Sequence, residues 1–160
     1  MFEQYSDRAR AIVFVARYRS GKDGAAAMDT DHLIEAIIFE DQGKLADALD
    51  KENLLSPIFE PKPHFFSEQF ASELLMKIQQ MLPHQDPIPT SVDMPVSADL
   101  ARTFEVAKTL MEDLNHRQVE PLHLLAAALS EQSEAAKFLS AVGVTSEHVL
   151  TALKADLSKP

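Results

Sequence analysis

Between Asp7 and Arg19 the apolar residues Ala9, Ile12, Val13 and Ala16 fall at three-and-four spacing, with Tyr18 at the edge and arginines between them. That is the period of an amphipathic helix. Ser6 stands where a helix is capped. Gly21 and Gly24 stand where one ends, because glycine accepts the left-handed conformation that helix ends require. A second helix is predicted from Asp29-Thr30 through Leu33, Ile34, Ile37 and Ile38, a third over Lys44 to Leu49, and a fourth over Ser67 to Leu82 with Phe70, Leu74, Leu75 and Ile78 on one face. Further along, a helix begins near Glu120-Pro121 and runs through Leu124, Leu125, Ala128 and Leu129. Another covers Glu134 to Val142, ended by Gly143, and a last one covers Thr145 to Leu157 with Val149, Leu150 and Leu153 inward. Proline at a first helical position supports the boundary at Pro121.

These elements repeat. At an offset of 91 positions Ser6 matches Ser97, Val15 matches Val106, Ala16 matches Ala107 and Asp29 matches Glu120; His32-Leu33-Ile34 matches His123-Leu124-Leu125. Gly24 is matched by Asn115, the next best residue for a left-handed helix end. A register shared by a helix, a turn and a second helix start marks a tandem repeat. The fold class is therefore all-α, two four-helix units with about eight helices, and the length of 160 residues fits one domain with a shared core. The expected division is repeat one at 1–82, a linker at 83–96 and repeat two at 97–157. The run Pro83-His84-Gln85-Asp86-Pro87-Ile88-Pro89 removes amide donors and blocks helix. The first unit also carries Pro57 to Phe66, a segment held extended by its prolines, whose aromatics are expected to pack on the core.

Composition narrows the chemistry. There is no cysteine, so disulfides, thiolate metal sites and thiol nucleophiles are closed. Net charge is −10, which argues against a nucleic-acid surface. No apolar run reaches the length of a membrane span, and Met1 to Tyr5 lacks a basic stretch followed by an apolar one, so a cytoplasmic chain with no membrane partner is expected. Arg8, Arg10, Arg17 and Arg19 stand against Asp7 alone and predict a solvated basic face on the first helix. Met28, Met76, Met81, Met94 and Met111 read as core filler. His64, His84, His116 and His148 read as surface or cap residues.

The pattern Phe2-x-x-Tyr5-Ser6-x-x-Ala9-x-x-Ile12, followed by Thr30-Asp31-His32-Leu33-Ile34, resembles the Clp repeat of bacterial Clp unfoldases. Pro95-Val96-Ser97 through Ala107, then Pro121-Leu122-His123-Leu124-Leu125 and Ser130-Glu131-Gln132, resembles the second repeat of that family. The resemblance implies a pseudo-two-fold, non-enzymatic binding module without a cofactor. It would receive protein substrates or an adaptor for a Clp-type unfoldase, or dock on ATPase or protease subunits. Glycine occurs only at 21, 24, 43 and 143, so no phosphate-cradling Gly-x-x-x-x-Gly-Lys loop exists. The alternative is the N-terminal piece of a longer Clp ATPase, since Leu157-Ser158-Lys159-Pro160 suits the start of a linker.

In some members of the family the Glu of a Thr-Glu-His motif holds the guanidinium of a phosphorylated arginine, a pairing that suits a carboxylate. The matching positions here are Asp31 and Leu122, so the resemblance leaves that contact to Asp31 alone. His32 and His123 are expected to be structural, bonding backbone in the first turn of each second helix. A reading of another class is a di-metal carboxylate enzyme, because Asp29-x-x-His32 and Glu120-x-x-His123 repeat the spacing of di-iron helical bundles. Against it, the further carboxylate candidate Glu105 is matched by Phe14, and both motifs fall at helix starts, so no metal ligands are assigned.

Overall fold

A short polar side chain precedes nearly every helix, and each takes up one of the amide donors that a helix start leaves unpaired. Ser6, Asp29, Ser67, Ser97 and Ser133 accept from the amides of Ala9, His32, Phe70, Leu100 and Ala136, and Thr145 accepts from His148. The structure is a computed structural model that describes residues 2–50 and 59–157. Among them are eight helices: α1 (Asp7–Lys22), α2 (Thr30–Asp41), α3 (Leu45–Ala48), α4 (Glu68–Met81), α5 (Ala98–Asp113), α6 (Pro121–Leu129), α7 (Glu134–Ala141) and α8 (Ser146–Leu157). Pro57 and Ile58 of the extended segment, and Ser158 to Pro160, lie outside the described residues.

The two halves follow the same plan. Gly24 has φ +68° and its counterpart Asn115 has φ +57°, so both adopt the left-handed turn that the repeat predicts. Helix α1 itself runs past Gly21 to Lys22. The glycine there answers a different need, because a Cβ at Gly21 would lie 2.6 Å from the Ile88 carbonyl oxygen, and one at Gly24 would collide with that of Asp86. The proline-rich connection lies across this end of α1, tied by Gln85 N to Asp23 O at 2.8 Å and Ile88 N to Gly21 O at 2.7 Å.

Helices α2 and α6 form the centre. Leu33, Ile34, Ile37 and Ile38 of α2, and Leu124, Leu125 and the run Ala126-Ala127-Ala128 of α6, are all at most 1% exposed. Small alanine side chains let the two helices and their neighbours approach closely. Helix α2 packs on α1, α3, α4, α6 and α7, while α6 packs on α5, α7, α8 and α1.

The halves are also cross-stitched. Tyr5 pairs in parallel with Val119, through Ser6 N to Val119 O (3.0 Å) and Val119 N to Gln4 O (2.7 Å). Met28 pairs in parallel with Val96, through Met28 N to Pro95 O (2.9 Å) and Ser97 N to Met28 O (2.8 Å). Tyr5 corresponds to Val96 and Met28 to Val119 under the repeat offset, so each half lends the same strap to the other. This exchange carries the pseudo-two-fold character of the fold.

Two expectations need correction. The arginines of α1 are a solvated face only in part: Arg10 is half exposed, Arg8 and Arg17 are partly covered, and Arg19 is buried. Arg19 continues the inward stripe of Ala9, Ile12 and Ala16 and is 8% exposed. It donates to Glu35 through Nε (2.7 Å) and Nη2 (3.0 Å) and to Ala48 O through Nη1 (3.1 Å). Arg8 reaches Glu40 and the Glu60 carbonyl, Arg10 the carbonyls of Phe2 and Glu3, and Arg17 those of Pro89 and Val92. Each guanidinium fastens a neighbouring segment to α1. The methionines also divide. Met28 and Met111 are core, but Met76 is 61% exposed, because α4 buries only Ala71, Leu74 and Ile78 and position 76 falls on the opposite side of the helical period.

Candidate functional site

Where the first half meets the second, a cleft of about 880 Å³ opens between the end of α2, the segment around residues 62–66, the turn before α6, and α8. Its floor is apolar: Ile37, Phe65, Leu122, Leu125 and Leu153. Polar groups complete the lining, with Arg8, Glu40, Lys62, His116, Arg117 and Glu120 among them. An apolar floor with a few polar groups beside it is the usual form of a binding site.

The wall at residues 59–66 is held by groups the sequence alone does not pair. Glu40, 2% exposed, accepts from Arg8 (3.1 Å) and from Lys62 (2.8 and 2.9 Å). The Arg8 guanidinium also lies 4.9 Å from the centre of the Phe59 ring. Asp41 accepts the amides of Phe65 (2.7 Å) and Phe66 (3.0 Å), and Gln42 donates to the Phe66 carbonyl (2.9 Å). Phe66 enters the core at 3% exposure, and Phe65 meets Phe66 edge to face and lies tilted against His148. The aromatics of the segment pack on the shared core as its composition predicts.

His32 and His123 occupy equivalent places but differ in charge, one a cation and the other neutral, and only His123 bonds the backbone as expected, while His32 is held by carboxylates. His32 is fully buried, with Nδ1 2.9 Å from Asp29 and Nε2 2.7 Å from Asp23. Two carboxylates facing two ring nitrogens require a proton on both, so the ring is an imidazolium. Burial pulls its pKa down, and the hydrogen bonds and charges of Asp29 and Asp23, with Glu35 behind, more than offset that and raise it. His123 is equally buried, but its Nδ1 accepts the Glu120 amide at 2.8 Å, which leaves the proton on Nε2, 2.7 Å from His116 Nδ1. Burial first, then electrostatic repulsion from the neighbouring His116, lowers the His123 pKa to about 4. The difference comes from neighbours that the repeat does not conserve: Asp23 is matched by Leu114, and His116 by Ala25.

The remaining site residues separate. Asp31 belongs to α2 but meets the second half, accepting the Ala135 amide at the start of α7 (3.0 Å), with the Ser133 hydroxyl also bonded to it. Burial raises its pKa above the ordinary carboxylate value, against the pull of those two donors. Leu122, its counterpart, lies in the cleft floor. Both nitrogens of His32 are taken by carboxylates, and no group of three or more His, Asp or Glu side chains among the described residues is arranged to hold a metal ion. No helix among the described residues is long and apolar enough to cross a membrane. The cleft had no sequence signal of its own, since its walls come from five separate stretches of chain. The buried Arg19–Glu35 pair did leave one: a glutamate in the middle of the apolar run of α2.

Comparison with known proteins agrees with this architecture. The structure of the N-terminal domain of the caseinolytic protease associated chaperone ClpD from Arabidopsis thaliana is similar at a TM-score of 0.66 and 18% identity, over 99% of this chain and 100% of that one. A protein from structural investigations of a malarial protein secretion system is similar at a TM-score of 0.71 and 18% identity, over 96% of this chain and 94% of that one. No curated protein sequence matches the chain. At these identities the structures establish the fold. The profile of the family described as Clp repeat (R) N-terminal domain matches residues 67–141 and again 96–160, together more than half of the chain. The duplicated helices, their exchanged straps and this twofold match place the chain in the Clp repeat N-terminal domain family.

Proposed function

We propose that this chain, one unit built from repeats at 1–82 and 97–157 joined over 83–96, is a non-enzymatic interaction module of the cytoplasm. It receives polypeptide substrates or an adaptor for a Clp-type unfoldase and needs no cofactor. The observation that carries the reading is the cleft between the halves. It has the size of a ligand site, an apolar floor that an extended segment can cover, and walls fixed by Glu40, Asp41 and the core rather than by loose loops. Membership of the Clp repeat family, and the same fold in the N-terminal domain of a caseinolytic protease associated chaperone, support a role beside an unfoldase.

The test is a titration of isotope-labelled protein with a permanently unfolded model polypeptide, followed by amide chemical shifts. Shifts concentrated at Phe65, His116 and Leu122 are expected, and Leu122→Trp, which fills the floor, is expected to abolish them while leaving the far-ultraviolet circular dichroism unchanged. Shifts that spread over another face, or survive Leu122→Trp, refute the cleft as the docking site.

A further inference from the structure

The polar groups around the cleft divide by whether they are already spent. All three of its carboxylates are. Glu40 accepts from two cations, Arg8 and Lys62. Asp41 accepts two backbone amides and the Gln42 side chain. Glu120 accepts from the Ser6 hydroxyl and lies in the field of Lys62 and Arg8, the two cations on Glu40. The floor position that matches Asp31 is Leu122, which offers no acceptor. A ligand bringing a cation finds no free anion here.

Unspent donors remain. Arg117 lines the cleft, is exposed, and makes no ion pair or hydrogen bond among the described residues. His116 accepts at Nδ1 from the Nε2–H of His123, so its own proton sits on Nε2, and that N–H has no acceptor among the described residues. His64, also in the wall, makes no hydrogen bond among the described residues. A site whose acceptors are consumed and whose donors are free selects a ligand that supplies acceptors, and a charged acceptor bonds a guanidinium most strongly. Arg8, Lys62 and Arg117 balance the three carboxylates, so the lining is neutral in a chain whose net charge is −10 and whose other faces repel acidic polypeptides.

We infer that the cleft takes an extended apolar peptide segment carrying an acidic side chain, with the carboxylate on Arg117 and His116 and the flanking apolar residues on Leu122, Leu125 and Phe65. The inference rests on the docking reading above and adds the chemistry of the occupant.

Isothermal titration calorimetry of the full chain tests it with three short peptides of alternating Leu and Ser that differ only in a central Glu, Gln or Lys. The peptides are acetylated and amidated so that the central residue is the only charge. The Glu peptide is expected to bind about tenfold tighter than the Gln peptide, the worth of one charge-assisted hydrogen bond, and to lose affinity with added salt. Arg117→Glu, on an exposed turn, is expected to remove that advantage and favour the Lys peptide. Equal binding of Glu and Gln peptides that Leu122→Trp abolishes overturns the acidic preference and leaves docking standing. A preference for Lys by the unsubstituted protein, or binding that needs a free C-terminal carboxylate in place of the side chain, overturns it as well. No binding by any of the three defeats both readings.

Discussion

Replacing Arg19 by leucine strands a carboxylate in the core. Glu35 is 0% exposed and takes two charge-assisted bonds from Arg19, whose third donor satisfies Ala48 O and whose guanidinium lies 5.1 Å from the Phe39 ring centre. Removing one partner of such a pair leaves an uncompensated buried charge and costs about 3–5 kcal/mol, a large part of the about 5–15 kcal/mol that holds a domain together. Glu35→Ala strands the guanidinium in the same way. The second repeat shows how the position can be filled without charge, for Leu110 and Ala126 stand where Arg19 and Glu35 stand in the first. The double variant Arg19→Leu/Glu35→Ala copies that solution. Since buried ion pairs replaced by apolar side chains are often neutral, it is expected within about 2 kcal/mol of the parent and more stable than either single variant. Urea unfolding of the four proteins, followed by circular dichroism, gives the coupling directly. A double variant as destabilised as the sum of the two singles refutes the reasoning, and so does a single variant that costs less than about 1 kcal/mol.

Stability should fall on the acid side because of His123: its folded pKa of about 4 lies below the ordinary 6.5, so the unfolded chain binds the proton first, and stability present above pH 6.5 is lost as pH drops toward 4. The loss is about 3 kcal/mol, and His123→Asn, whose side-chain oxygen can accept the Glu120 amide, is expected to flatten this limb in urea midpoints measured across that range; an unchanged limb refutes the assignment. His32 has the reverse sign, with a raised pKa, so its contribution is fully present below pH 6.5 and is lost as pH rises through the folded value. At Asp31 the proposed guanidinium contact must compete with the Ala135 amide and the Ser133 hydroxyl; calorimetry with phosphoarginine is expected to give heat that Asp31→Ala removes, and equal heats from both proteins refute that contact.

Periodicity and the repeat offset made the helices legible, because a fold built on one amphipathic unit writes the same caps and turns twice. Ser6 and Ser97 cap, Gly24 and Asn115 turn left-handed, and α2 and α6 begin at matched positions. The same offset misleads about charge. It pairs His32 with His123, yet ionisation is set by Asp23 and His116, which have no counterparts of their own type. Arg19 looked solvated because one arginine in a basic run carries no mark of burial until Glu35 is brought beside it. The cleft is assembled from segments far apart in sequence, a long-range arrangement that local pattern does not encode.

The crossed pairing of Tyr5 with Val119 and of Met28 with Val96 has a mechanical consequence. Neither half keeps its own strap, so peeling one away unseats an edge of the other. Under the role proposed above, beside an unfoldase, such a weave would share load arriving at one end between both halves.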